Sequence, residues 1–385
     1  MSLLPLFPVT TVGSWPRPRG LLASLRALRA GEITCAQHEG AVDDAVRQAV
    51  EAQHRAGVDL VTDGEQGRDN FYSFVADKLE GVRLMTLAEM LEYVEDKESF
   101  RRLLDTLDVP AFAIRNPTCV GRVRPREPLV LADLERLRRF TGLPVKVTLP
   151  GPYLLTRAMW VPELAREAYD SKEALGRDVV ALLREEIERL VTAGAEFLQL
   201  DEPVLTELVF SQGQTRTFMC ASLATRGDPT EELQWAVCML RQVLEPAAAI
   251  RTGLHVCRGN WSRDESTLLR GGYAPLAPWF EQVPVTQLVL EYATPRAGEV
   301  LSPGAKELGL GVVNPRSESV ETPEQIVARI EAALKVVPAE RLFLNPDCGF
   351  GTFSARPIND AETAERKLSA MGEAARRLRG RADPV

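Results

Sequence analysis

A chain of 385 residues with 45% hydrophobic side chains can bury a large core. Its formal net charge of -8 argues against nucleic acid as a partner, since phosphate binding needs a basic surface. No apolar run approaches the roughly 20 residues of a membrane span, and the first residues lack the basic start and cleavage site of a signal peptide, so a cytoplasmic protein is expected.

In chain order, Phe7 to Val12 is a short β-branched strand that ends at Gly13, Ser14, Trp15 and Pro16. Gln37 to Arg55 has helical spacing, with Gly57 as its stop. Val58 to Thr62 is a second strand, closing on Asp63, Gly64 and Glu65. Residues 73 to 140 fit no simple repeat: the spacing predicts a helix over Leu87 to Leu107, an alternating piece around Pro110 to Arg124, and a further helix. This stretch is an insertion after the second strand, suited to a lid or a contact surface. Strands follow at Val145 to Leu149, Phe197 to Leu200, the run into His255, Gln287 to Leu290, Leu308 to Val313 and Arg341 to Leu344. Between them lie helices at Ser171 to Ala193, Thr230 to Leu244 and Thr322 to Val336, and a last one spans about Asp360 to Arg379. The C-terminal arginines, Arg376, Arg377, Arg379 and Arg381, read as a solvated helix face.

About eight short apolar strands, most followed by a helix, point to an α/β protein of the (β/α)8 TIM-barrel type; a doubly wound open sheet is the alternative. No linker interrupts the pattern, so residues 1–385 read as one domain. Ser14, Glu65, Asp201, His255, Glu291, Arg316 and Cys348 each stand where a strand run finishes, and barrel active sites assemble from those ends.

Six cysteines are scattered without the spacing of a disulfide scaffold. Cys35, Cys119, Cys220 and Cys238 read as inert thiols. Cys257 is different, because His255 lies two residues before it, on the same face of a strand. Alone, such a pair is more often a core histidine beside a buried thiol. Glu291 and Cys348, each closing a later apolar strand, turn the pair into half of a ligand set. One imidazole, two thiolates and one carboxylate suit zinc and disfavour hard cations. With two thiolates and a carboxylate the total formal charge is about -1, low for activating water but suited to holding a substrate thiol as thiolate. The indicated chemistry is alkyl transfer to sulfur. Glu65 and Asp201 suit a substrate ammonium, and Ser14 with the main-chain N–H groups around Gly13 suits a carboxylate, which together describe an amino acid with a thiol side chain. For each acid alone, a helix cap or a loop ion pair is an equally good account.

The motifs Val12-Gly13-Ser14-Trp15-Pro16, Asp63-Gly64-Glu65-Gln66-Gly67-Arg68-Asp69-Asn70, Gln199-Leu200-Asp201-Glu202-Pro203, His255-Val256-Cys257, Glu291 and Asn345-Pro346-Asp347-Cys348-Gly349 occur in that order. In combination they resemble the catalytic domain of the cobalamin-independent methionine synthase family, over nearly the whole chain apart from the insertion. The resemblance implies a zinc-dependent barrel with His255, Cys257, Glu291 and Cys348 as ligands. It also implies homocysteine bound through Val12, Gly13, Ser14, Glu65 and Asp201, and a methyltetrahydrofolate donor. Two departures stand out. Full-length family members carry a second, N-terminal barrel, and this sequence starts at the catalytic half. Where the family places a histidine acid after the seventh strand, this chain has Arg316, which stays protonated to beyond about pH 12 and cannot deliver a proton in the same way. A methylated corrinoid, free or protein-bound, needs no protonated leaving nitrogen and is the expected alternative donor. The competing readings are a zinc-thiol alkyltransferase acting on another thiol such as coenzyme M, a metal-free decarboxylase of related fold, and a non-enzymatic barrel homologue.

Overall fold

A computed structural model describes residues 4–93, 97, 98, 101, 115–210, 227–260, 262–351 and 359–382. The chain packs as two compact units, each woven from separate stretches: Met1–Phe71, Ala132–Val147 and Val289–Val385 form the first, and Tyr72–Leu131 and Thr148–Leu288 the second.

In the second unit, β1 (Leu79–Thr86) and β2 (Arg115–Pro125) form an antiparallel hairpin. β2 coincides with the alternating piece expected around Pro110 to Arg124, whereas β1 was not expected as a strand. Within the expected helix over Leu87 to Leu107, Leu87–Met90 is α-helix, followed by one 3-10 turn at Leu91–Tyr93; Lys97, Glu98 and Arg101 are helical as well, and the rest lies outside the described residues. Thr86, whose side chain accepts from the Glu89 N–H while the Glu89 carboxylate accepts from the Thr86 N–H, caps that short helix and separates it from the strand. The same unit holds the helices Pro152–Met159, Lys172–Thr192, Val204–Phe210 and Pro229–Leu244. Lys172–Thr192 starts at Ser171, whose hydroxyl accepts from the Ala174 N–H.

The first unit holds the helices Cys35–Ala56, Pro323–Ala333 and Ala361–Ala382. Cys35–Ala56 ends on Gly57 at φ 78°, the left-handed C-cap that the sequence signalled. Arg379 is not part of a solvated face: it pairs with Asp59 at 2.6 Å and donates to the carbonyls of Leu6 and Phe7. Cys35 and Cys238 are exposed on helices rather than packed in a core, Cys119 is buried, and Cys220 lies outside the described residues.

β3 (Lys146–Pro150), β4 (Phe197–Asp201), β5 (Arg251–Val256), β6 (Gln287–Leu290), β7 (Glu307–Val313) and β8 (Leu342–Pro346) make a parallel sheet in that order. Apart from the first residues of β5 and β7, these strands are buried throughout, which is why they read as short apolar runs without alternation. Single parallel bridges join Val9 to Leu344 of β8, Thr10 to Leu60, and Val61 to Val145 beside β3. The segments around Val9 and Leu60 are therefore the first and second strands, and the pairings run in a cycle of eight, the (β/α)8 barrel arrangement. Among the described residues no helix is long and apolar enough to cross a membrane.

Candidate active site

His255 owes its orientation to strand register. β4 and β5 pair in parallel with Asp201 opposite His255, and Asp201 Oδ1 lies 2.9 Å from His255 Nδ1. The same oxygen accepts from Gln199 Nε2 at 2.8 Å, two residues back on the same face. A carboxylate on Nδ1 fixes the neutral ring with its proton there and leaves Nε2 as the nitrogen able to ligate, the usual support for a metal-binding histidine. Sequence reasoning gave Asp201 to a substrate ammonium; the structure adds the contact of its Oδ1 with His255. Replacing Asp201 by asparagine is expected to weaken metal affinity about 10- to 100-fold, measured by competition with a chromophoric chelator. Unchanged affinity would remove Asp201 from this role.

The helix-capping role falls to the next residue. Glu202 accepts from the N–H groups of Tyr153 at 2.8 Å and Leu154 at 3.0 Å, at the start of helix Pro152–Met159. Burial pushes its pKa up to about 8, and those two N–H groups act against the rise.

Cys257 stands one residue beyond β5 and is buried; its carbonyl accepts from the Thr206 hydroxyl at 2.8 Å. Cys348 is half-buried two residues after β8. Among the described residues, His255, Cys257 and Cys348 form a possible metal-binding group, with one candidate ligand atom from each within 4.8 Å of the others. An imidazole and two thiols fit zinc, whose tetrahedral sites take such donors and leave one further place beyond these three.

Glu291, expected as the fourth ligand, follows β6 directly and is engaged by arginines. Arg296 Nη2 lies 3.2 Å from both of its carboxylate oxygens, and Arg316 Nη1 lies 3.7 Å from Oε1. Arg316 also lies 3.8 Å from Asp347 Oδ2, and its side chain is 1% exposed. Asp347 Oδ1 accepts from the N–H groups of Tyr292 and Ala293, each at 2.8 Å. Burial and the charge of Glu291 push the Asp347 pKa up to about 6, while Arg316 acts against the rise. The sequence quoted Asp347 within a motif and gave neither it nor Arg296 a role. A guanidinium among carboxylates is a fixed positive charge rather than an acid.

Ser14 and Glu65 lie in loops that are tightly joined. The Trp15 N–H donates to the Gly64 carbonyl at 2.9 Å, and the Phe350 N–H to the Ser14 carbonyl at 2.9 Å. Gly349 passes so close that a Cβ there would lie 2.1 Å from Ser14 Oγ, so any larger residue would push the serine hydroxyl out of its place. Val12, Gly13 and Ser14 are all buried, and the Gly13 carbonyl accepts from the Thr62 hydroxyl at 3.2 Å. Glu65 is buried in a left-handed conformation, φ 53°, uncommon for a glutamate and typical of residues held for a purpose. Asp63 Oδ1 accepts from its N–H at 3.0 Å. Trp15 packs edge-on against Phe350, with ring centroids 5.6 Å apart, as a core aromatic.

The sequence pattern of the cobalamin-independent synthase catalytic domain matches residues 7–377. A methionine synthase from Saccharolobus solfataricus is 29% identical over 98% of this chain and 97% of its own length. One from Thermococcus kodakarensis is 28% identical over 96% of this chain and 97% of its own. The structure of a B12-independent methionine synthase from a Shewanella species, in complex with selenomethionine, has the same fold, with a TM-score of 0.74 and 22% identity over 98% of this chain and 99% of that one. The chain belongs to the cobalamin-independent synthase family, as a catalytic-domain enzyme of the S-methyltransferase class.

Proposed function

We propose that the protein is a zinc-dependent homocysteine methyltransferase acting as one domain over residues 1–385, with His255, Cys257, Cys348 and Glu291 holding the metal. The observation that carries the reading is the group of one imidazole and two thiols, with Asp201 orienting the imidazole. Zinc, when bound, lowers the pKa of a thiol brought to it, so that the sulfur attacks as thiolate near neutral pH. The chain's own residues do the rest. Glu65 receives the substrate ammonium, and Ser14 with the main chain of Val12 and Gly13 receives the carboxylate. The buried loops after the first, second and eighth strands keep water from competing for these groups. A sulfur–carbon bond forms as the donor–methyl bond breaks, and the thiol proton is lost.

On the donor side, Arg316 supports a methylated corrinoid over methyltetrahydrofolate. It holds its proton, and with carboxylates on either side it provides charge and not acid. Purified, zinc-analysed enzyme should methylate homocysteine from methylcobalamin faster than from methyltetrahydrofolate, and should leave coenzyme M unmethylated. Efficient use of methyltetrahydrofolate with no use of methylcobalamin would reverse the donor assignment. Equal turnover of coenzyme M would favour a different thiol alkyltransferase.

A further inference from the structure

Arg17 has no part in the site as drawn so far, yet it touches two of its loops. Its side chain is buried, and its guanidinium donates to three main-chain carbonyls: Nε to Arg68 at 2.9 Å, Nη1 to Gly351 at 3.0 Å and Nη2 to Glu65 at 2.9 Å. Arg17 itself follows the first strand, Glu65 and Arg68 follow the second, and Gly351 follows β8 and Cys348. One planar group thus ties three strand-end loops. Its fork of fixed donor directions makes this possible, whereas the single ammonium of a lysine could not satisfy three spaced carbonyls in the same way.

Glu65 is the point at which this clamp bears on chemistry. Its left-handed φ of 53° is held from both sides, by Asp63 on its N–H and by Arg17 on its carbonyl. Relaxing to ordinary backbone angles would swing the carboxylate to a different place.

We propose that Arg17 is a positioning residue for recognition of the substrate amino group: by holding the Glu65 carbonyl it fixes the turn that presents the Glu65 carboxylate, and so gives the site its preference for an α-amino thiol over a thiol acid lacking the amine. The proposal rests on the assignment of Glu65 to the substrate ammonium.

The test compares homocysteine with 4-mercaptobutanoate, which keeps the thiol and the carboxylate and lacks the amine. Enzyme loaded with cobalt(II) is titrated with each, and binding is read from the sulfur-to-metal absorption band rather than from turnover. The wild type should prefer homocysteine. Arg17→Met should weaken homocysteine binding about 10- to 100-fold, the scale expected of a binding group misplaced by about an ångström, while 4-mercaptobutanoate binding stays within about twofold. Arg17→Lys should recover part of the preference. If the wild type shows no preference, the Glu65 assignment itself fails and the proposal falls with it. If the wild type prefers homocysteine and Arg17→Met keeps that preference, or loses affinity for both thiols alike, Arg17 serves the fold only and the proposal is overturned. Should Arg17→Met not fold, Arg17→Lys decides by the same ratio, an unchanged preference overturning the proposal.

Discussion

Serine in place of Cys348 is expected to cost most of the bound zinc and nearly all homocysteine methylation. A thiol of ordinary pKa about 8.5 is deprotonated outright by zinc, whereas a serine hydroxyl stays protonated and is a poor ligand. Four-ligand zinc sites bind with about 10–16 kcal/mol, so one lost ligand costs about 3 kcal/mol, a weakening of roughly 100- to 1000-fold. Cys348 is only half-buried, and the replacement is nearly isosteric, so the thermal transition of the metal-free protein should hardly move. The measurement is zinc per chain after dialysis, together with homocysteine affinity and turnover. Wild-type zinc content and thiol affinity in the variant would show that the metal site does not include Cys348. Removal of metal from the wild type by a chelator should reproduce the loss, and added zinc should reverse it.

The largest expected effect on stability lies away from the chemistry. Arg157, on helix Pro152–Met159, meets Glu207, on helix Val204–Phe210, at 3.3 Å, with side chains 2% and 0% exposed. Burial alone would lower the arginine pKa, but Glu207, Tyr153 and Glu232 together more than offset it and the pKa rises. Arg157→Met leaves a carboxylate buried without that partner and is expected to cost about 3–5 kcal/mol, which for a chain of this size lowers the thermal midpoint by about 4–6 °C. The double variant Arg157→Met with Glu207→Gln should recover much of that loss, because no charge is then stranded. A single variant that melts within a degree of wild type would mean that water already solvates Glu207.

The sequence made the strand ends legible because each combines an apolar run with an abrupt polar stop. That pattern located the eight strand positions and, through the donors His255, Cys257 and Cys348, a possible metal group. What it could not show depends on pairing. The role of Asp201 follows from its register with His255, 54 residues away, and a list of acids at strand ends does not say which of them supports a ligand. The clamp made by Arg17 was invisible for a deeper reason. Its three acceptors are main-chain carbonyls 51, 334 and 48 residues distant, and a carbonyl is common to every residue type. Of the β1–β2 hairpin, β2 lies where an alternating piece was expected, and β1 escaped because its burial does not alternate cleanly. Arg379 misled by composition: the other arginines of the helix, Arg366, Arg376, Arg377 and Arg381, are all exposed surface charges, and Arg379 alone reaches Asp59 and the carbonyls of Leu6 and Phe7.

The first two strands are brief, each joined to its neighbours by single bridges, whereas β4 and β5 share five paired positions. Main-chain hydrogen bonds such as Thr10 N–H to the Leu344 carbonyl and Lys146 N–H to the Val61 carbonyl hold that seam in place of a long ladder. Ser14 and Glu65 sit just beyond it, while His255 and Cys257 rise from a fully laddered strand. His255 and Cys257 therefore stand on laddered backbone, while the part proposed to hold the amino acid takes its order from contacts between loops, the Arg17 clamp among them. A ligand that bridges those loops stabilises the arrangement it binds, so substrate binding and the order of the loops are thermodynamically linked.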